Sequence, residues 1–391
     1  MDESEIQFAL AVWVGAFFDA GIAVAIRHWQ MRRGKSRLAG RVVEVLDHAV
    51  CILVAVFAFL LQTIWAAAVT GSSFAIIHAL YAFLVVVPSV YIFSIVIFRL
   101  SHKSGLLHSV GLVLLGFLPP ALFIYASFVE PYRIRVEHST LPISAPLHTD
   151  GLRIGVLSDL QTRQVSSYER RAVQLLLAES PDLILLPGDY FQVSAETFAK
   201  RRGEYREFLS LLKAPAGVFA VLGDIEHRPS EVRDLFSEVG IRLLENEVHV
   251  IEYKGAKIAF GGIELNYSSP SALRTIEQLE QFDANLRILI SHRPDAVYKT
   301  SSTSKIDLVV SGHTHGGQVV MPGFGPLMTL SQVPRKVAAG GLHRVHNRNL
   351  YVSRGVGMER GFAPPIRFLC PPELSLIRLQ ATVARSTEMP N

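Results

Sequence analysis

Thiol chemistry is nearly absent from this chain. Its 391 residues include two cysteines, Cys51 inside an apolar run and Cys370 near the C-terminus. No thiolate metal site can be built from them, and a disulfide between them is implausible. The first apolar stretch does not read as a cleaved leader, because its flank, MDESE, is acidic where a leader carries positive charge. Internal repeats are missing as well. The formal net charge of +4 is small, and one short basic loop accounts for the excess, so nucleic acid is not an expected partner.

What the sequence has in quantity is apolar residues, and they are concentrated before residue 130. The mean hydropathy is +0.31. Four stretches, 7–26, 48–70, 74–98 and 106–128, each reach the ~20 residues needed to cross a bilayer. The loop after the first carries Arg27, Arg32, Arg33, Lys35, Arg37 and Arg41, and the loop after the third carries Arg99 and Lys103. Lys and Arg mark cytoplasmic loops. The expectation is therefore a multi-pass protein with its N-terminus and everything after residue 129 outside the cytoplasm; Arg133 and Arg135 pull the other way. Membrane lipids are expected partners, with headgroup binding a second use for the 27–41 loop. Asp19, an acid inside the first span, reads either as a functional group or as one packed against Gln62, His78 or another polar group of the bundle.

Residues 130–150 are punctuated by proline and read as a linker, 151–380 as a second domain, and 381–391 as a frayed tail. In the second domain short apolar runs alternate with amphipathic stretches. The runs are RIGVLS (153–158), DLILLP (182–187), GVFAVL (217–222), KIAFGG (257–262), RILIS (287–291) and DLVVS (307–311). Helical patterns fall at 167–179, 196–213, 230–239 and 272–282. Buried strands separated by helices indicate an α/β domain.

The chemistry lies in what ends those runs. They stop at Asp159, Asp189, Asp224, His292 and His313, with His315 two residues on. Open α/β sheets bind ligands at the C-terminal edges of their strands, and a set made only of Asp and His points to a metal centre. Oxygen and imidazole donors suit Mn²⁺, Fe or Zn²⁺. Six or seven ligands exceed one tetrahedral ion but fit two ions sharing a carboxylate.

The segments SDLQ (158–161), LPGD (186–189), VLGDIE (221–226), SH (291–292) and GHTHGGQ (312–318), in that order, resemble the motif set of calcineurin-like metallophosphoesterases. YVSRGVG (351–357) and PPIRFLCPPELSLIRL (364–379) resemble the closing segment of that family's membrane-associated bacterial branch. The resemblance implies two β-sheets packed face to face with helices outside, two divalent metals with Mn²⁺ the first choice, and hydrolysis of phosphoric esters by a hydroxide bridging the metals. It assigns Asp159 and His315 to one metal, Asp189 as bridge, and Asp224, His292 and His313 to the other. Asp189, Asp224 and His313 become the central catalytic groups. With the four spans it implies a four-helix, multi-pass anchor in a bacterial inner membrane; the Lys and Arg placement, not the resemblance, puts the hydrolase on the extracytoplasmic side.

Three motifs depart from the family pattern, at four positions. Gln161 stands where a His ligand is usual; its amide oxygen can ligate weakly, or the side chain can hydrogen-bond a ligand instead. Gln192 replaces a second Asp. Asp224 and Ile225 replace an Asn-His pair whose His is placed near the leaving group. General acid catalysis is worth ~10²–10⁴-fold, so its loss favours low-pKa leaving groups such as a pyrophosphate or nucleotide. His227 could substitute if its loop bends inward. Arg293 and Arg354 are candidate phosphate binders, Glu226 a loop support, and His249, His343 and His346 surface groups. The expected substrate is a phosphorylated lipid or nucleotide-linked molecule; this branch resembles hydrolases of lipid-linked pyrophosphates such as UDP-2,3-diacylglucosamine, a reaction needing the cytoplasmic side. The competing reading is a non-catalytic metal-binding or interaction module that kept the fold.

Overall fold

In a computed structural model the described residues are 3–32, 40–101, 106–143, 150–226, 229–301, 303–359 and 361–381. His227, Arg33, Lys35, Arg37, Lys103 and all but the first residue of the expected tail lie outside them. The chain divides into two compact units. One holds Met1–Val129 and Glu359–Pro365; the other holds Glu130–Met358 and Ile366–Asn391.

The first unit is four helices, α1 (Glu3–Arg32), α2 (Gly40–Thr70), α3 (Ser73–Ser101) and α4 (Leu106–Ile124). All four are long and apolar enough to cross a membrane. Their contact faces are rich in alanine, including Ala16, Ala20, Ala79 and Ala82, while Leu10, Phe18, Leu53 and Leu114 point outward. Small residues let helix backbones approach in lipid, where apolar burial between helices gives no driving force. Pro119 and Pro120 lie inside α4, which passes into a π turn at Tyr125–Val129. Asp19 is buried, but neither polar residue suggested for it is its partner. Gln62 donates to the Val12 carbonyl at 2.8 Å, and His78 Nδ1 lies 3.3 Å from the Phe362 carbonyl.

The second unit is a two-sheet sandwich. One sheet has the order β1 (Arg135–Ile143), β14 (Glu373–Ala381), β2 (Arg153–Val156), β3 (Leu183–Leu186), β4 (Val218–Ala220), β5 (Arg242–Leu243). The other runs β12 (Gly341–Val345), β13 (Arg348–Val352), β9 (Leu308–Ser311), β8 (Leu286–Ile290), β7 (Ala256–Gly262), β6 (Glu247–Tyr253). A small hairpin, β10 (Val320–Met321) and β11 (Gly325–Pro326), stands apart.

Side chains alternate across a strand, and β3 shows the result. Leu183 and Leu185 join a core with Ile258, Ile288 and Val310 of the opposite sheet, while Ile184 and Leu186 face the helices. Phe219 and Phe260 stack across the two sheets at 4.1 Å. Helices α5 (Ser167–Ala178), α6 (Ala195–Leu209) and α7 (Pro229–Val239) flank the first sheet; α8 (Pro270–Gln281) and the single turn α9 (Arg335–Ala338) flank the second. Serine begins three of them: Ser166 with Glu169 forms a capping box on α5, and Ser194 and Ser269 cap α6 and α8.

The boundaries expected at 130–150 need correction. Arg135–Ile143 is not linker but a strand paired in parallel with β14, from Arg135 opposite Glu373 to Ile143 opposite Ala381. Its partner lies more than two hundred residues downstream, and the one-sided apolar pattern of this edge strand is too sparse to mark it locally. Similarly, Glu359–Pro365, read as part of the second domain, clusters with the helical unit.

Candidate metal centre

The C-terminal ends of β2, β3 and β4 deliver Asp159, Asp189 and Asp224 from the first sheet. The ends of β8 and β9 deliver His292, His313 and His315 from the second. One sheet thus supplies every carboxylate and the other every imidazole. The two edges are stitched directly where the His313 amide donates to Asp159 Oδ1 at 3.0 Å. Within the first sheet the Asp159 amide donates to the Gly188 carbonyl at 3.1 Å and that of Gln161 to the Asp189 carbonyl at 3.0 Å.

Reaching a common point requires unusual backbone. Asp159, Gln161, Asp189, His313 and His315 all have positive φ, between 42° and 72°, a conformation that costs non-glycine residues energy and gathers at functional sites. Two glycines make room. A Cβ at Gly223 would strike the Asp189 carboxylate, and one at Gly312 would strike Ser158 and Asp159.

The donor atoms converge in two overlapping groups, Asp224–His292–His313 and Asp159–Asp189–His292, each within 4.8 Å. His292 Nε2 lies 3.2 Å from Asp224 Oδ2 and 3.5 Å from Asp189 Oδ1; His313 Nδ1 lies 2.7 Å from Asp224 Oδ2. His315 Nε2 is 3.7 Å from Asp159 Oδ1. The buried His292 Nε2, His315 Nε2 and Asp224 Oδ2 nevertheless make no hydrogen bond of good geometry among the described residues. Their lone pairs meet in a shared space instead of pairing, which is the arrangement a cation needs. The set of three Asp and three His fits a pair of divalent ions. His292 is the residue the two groups share, whereas Asp189, expected as the bridge, falls in the group with Asp159.

The outer bonds hold the rings in place. His292 Nδ1 faces the Pro187 carbonyl at 2.8 Å, so its Nε2 is the ligating nitrogen. His313 Nε2 faces the Leu330 carbonyl at 3.3 Å, which leaves Nδ1 toward Asp224. Glu226, expected as a loop support, and Asp295, which sequence reasoning passed over, complete this frame. Glu226 is buried and accepts from the amides of Asp189, Tyr190 and Gly223 at 3.1, 2.7 and 2.6 Å, tying the second motif loop to the third. Asp295 accepts from Ser331 Oγ at 2.9 Å and the Gln332 amide at 2.6 Å, fixing the turn that presents the Leu330 carbonyl. Its position three residues after His292 was the available signal.

Charge follows burial and proximity. Burial and then the neighbouring Asp189 push the Asp159 carboxyl up, to about 6, against the pull of His292. Burial works against a charged His292, yet Asp189, Asp224 and Asp159 outweigh it and raise it to about 10. Burial also raises Asp224, but the close His292 and His313 rings and the bonded Arg293 guanidinium hold it well below the usual carboxylate range. Burial, then Arg367, lowers His315 far enough to keep it a neutral ligand. With protein groups alone, the imidazolium of His292 is the counter-ion of the three acids.

The remaining expected residues divide. Gln161 is buried, and its Nε2 donates to Asp189 Oδ2 at 3.3 Å. Arg293 Nη2 bonds Asp224 Oδ1 at 2.5 Å, beside the Asp224–His292–His313 group. Arg354, expected to bind phosphate, instead turns to Glu373 at 2.9 Å and Glu137 at 3.3 Å; its charge is used between strands. Ile225 is half-buried, and its amide donates to Asp189 Oδ1 at 3.1 Å.

The profile of calcineurin-like phosphoesterases matches residues 152–317. A metallophosphoesterase of Bacillus subtilis, YkuE, is 31% identical over 266 residues, covering 66% of this chain and 90% of that protein. The chain belongs to the calcineurin-like phosphoesterase family. It is a metal-dependent phosphoesterase by that membership, and the converging Asp and His groups agree with the dinuclear centre the family uses. Phosphodiesterase YaeI of Escherichia coli is 31% identical, covering 53% of this chain and 74% of its own. UDP-2,3-diacylglucosamine pyrophosphatase LpxG of Chlamydia trachomatis is 27% identical, covering 66% and 93%.

Proposed function

We propose that this phosphoesterase is a membrane-anchored hydrolase of a phosphodiester or pyrophosphate carried by a lipid or envelope component. The observation that carries the reading is the convergence of three carboxylates and three imidazoles from two sheets, on a chain with four helices fit to span a bilayer. The LpxG and YaeI relatives support the substrate class. Two divalent cations, Mn²⁺ first among them, would be held by Asp159, Asp189 and His315 on one side and Asp189, Asp224, His292 and His313 on the other. When bound they supply Lewis acidity and lower the pKa of water.

The chain's own residues then set the specificity. Ile225 cannot donate a proton to a leaving group. Arg293 bonds Asp224, the residue before Ile225, through one Nη; its side chain is 38% exposed, and its Nε makes no hydrogen bond among the described residues. A planar guanidinium so placed can bind two phosphoryl oxygens and take up developing charge, which suits a leaving group that departs as an anion. Gln161 orients Asp189 through its amide. The positive-inside pattern supports placing the hydrolase unit outside the cytoplasm.

The departures at Gln161 and Ile225 favour a second reading, a metal-binding module without turnover. Metal analysis of the detergent-solubilised protein, with assays on lipid-linked pyrophosphates and activated diesters, separates the two. About two equivalents with turnover that vanishes in Asp189→Asn supports the hydrolase; one equivalent or none, with no turnover under Mn²⁺, supports the module. Alkaline phosphatase fused after residue 381 should be active if the unit faces outward.

A further inference from the structure

Beside the metal centre the chain exposes apolar surface that its fold does not use. The hairpin of β10 and β11 and the segment after it present Met321, Phe324, Leu327, Met328 and Leu330, which are 41, 59, 51, 41 and 60% exposed. Leu369, 47% exposed, is brought alongside because the Val320 amide donates to the Phe368 carbonyl at 2.9 Å. A contiguous exposed apolar patch marks a binding surface more often than scattered single residues do.

Position and charge say what it takes. The patch is continuous with the catalytic groups. Leu330 itself holds His313 through its carbonyl at 3.3 Å and does so with a positive φ of 49°. The left-handed Gly317, two residues past His315, packs against Pro326 and the Met328 carbonyl. The segment itself carries no negative charge: no Asp or Glu occurs between Asp307 and Glu359, and the nearby Asp295 carboxylate is taken up by Ser331 and Gln332. The guanidinium of Arg335 lies 4.5 Å over the Phe324 ring, with exposed Lys336 next to it. Apolar side chains flanked by Arg335 and Lys336, at the edge of a phosphate-hydrolysing centre, complement a molecule with an acyl chain and an anionic head. The four spanning helices on the same chain keep it where such molecules reside.

We infer that the 319–330 hairpin is the acyl-chain subsite of this enzyme: it holds the apolar tail of a phosphorylated lipid while the phosphate occupies the metal centre. The inference deepens the proposed hydrolase reading and rests on it for the identity of the head.

The test uses the full-length, Mn²⁺-loaded protein in nanodiscs and two substrates sharing one leaving group, p-nitrophenyl hexadecyl phosphate and p-nitrophenyl methyl phosphate. The wild type should favour the hexadecyl ester in kcat/KM on the order of 100-fold, since each buried methylene contributes several-fold. The variant Phe324→Ser/Leu327→Ser changes only exposed side chains, so its fold is not at stake. It should lose ~10-fold or more on the hexadecyl ester and keep the methyl rate within about twofold. No chain-length preference in the wild type, or a preference unchanged in the variant, overturns the subsite. A photoactivatable hexadecyl phosphate gives an answer independent of turnover. Cross-links within 319–334 support the subsite even if neither ester is cleaved, an outcome that would remove the hydrolase reading alone. Cross-links confined to the spanning helices overturn it.

Discussion

The pair formed by Asp224 and Arg293 offers the sharpest test of how this centre works. The family pattern places a neutral Asn at position 224; here an acid stands there with a guanidinium at 2.5 Å. The adjacent guanidinium balances the negative charge that this exchange adds, so the two residues should behave as one unit. With side chains 38% and 27% exposed, the pair lies between a surface ion pair at 0–1 kcal/mol and a buried charged hydrogen bond at ~1.5–3 kcal/mol. A coupling of about 1–2 kcal/mol follows, or ~5- to 30-fold. Arg293→Ala should lower kcat/KM for a pyrophosphate by that factor while leaving both metals bound, since an unpaired Asp224 is if anything a stronger ligand. Asp224→Asn alone should lose metal, because the guanidinium then repels the cation it had been shielded from. The double variant should regain metal but not the full rate. The assay is a four-protein cycle with metal content and kcat/KM measured on each. Additive effects, with a coupling below ~0.5 kcal/mol, would show that the two residues act independently and would refute the compensation argument.

Three further outcomes follow from the same geometry. Ile225→His should raise rates on alkyl esters by ~10-fold or more and on aryl esters much less, because only poor leaving groups need the proton; equal gains on both, read from kcat/KM across a leaving-group series, count against the argument. Asp295→Asn should weaken retention of the second metal about tenfold or more in a chelator titration while far-UV circular dichroism stays unchanged; full metal retention would sever Asp295 from His313. Asp182 accepts from the Arg153 amide and Tyr253 hydroxyl, both at 2.8 Å, and from exposed Lys254 at 2.7 Å, and these bonds outweigh burial to depress its pKa. Its stabilisation is therefore present above the unfolded value near ~4 and lost as pH falls through the lower folded value. Asp182→Asn should cost ~1–3 kcal/mol at pH 7, with the gap closing toward pH 3; a pH-independent gap in denaturant melts would contradict the assignment.

Much of the site was legible because its residues sit where local patterns end. Each buried strand from 153 to 311 announces itself by a run of aliphatic residues, and the Asp or His that stops the run needs no knowledge of the far side of the molecule. The pieces that were not legible depend on long-range pairing. Nothing near Arg135–Ile143 encodes a partner at Glu373–Ala381, so it resembled linker. Arg354 looked like a phosphate ligand because its targets, Glu373 and the distant Glu137, are invisible from VSRG. Glu226 was correctly suspected of supporting its loop, but its three amide partners come from two separate loops.

The separation of donors by sheet has a thermodynamic consequence. With all carboxylates on one sheet edge and all imidazoles on the other, any ion bound between them cross-links the sandwich at that edge. Near neutral pH the imidazolium of His292, with its pKa near 10, serves as a partial substitute among the acids, so the sheets should stay docked when metal is withdrawn. The fold should survive chelation but lose stability by mass action, ~2.7 kcal/mol for each ion held at 100 times its Kd. For a unit of this size that is a drop of ~5–10 °C in Tm. Uptake should also release protons from His292, so affinity should climb with pH up to about 10. Calorimetry in buffers of differing ionisation enthalpy reads the protons, and hydrogen exchange at 157–161 and 311–315 reads the edge. An unchanged Tm with unchanged exchange after complete metal removal would mean that the ions bind without bridging the two sheets.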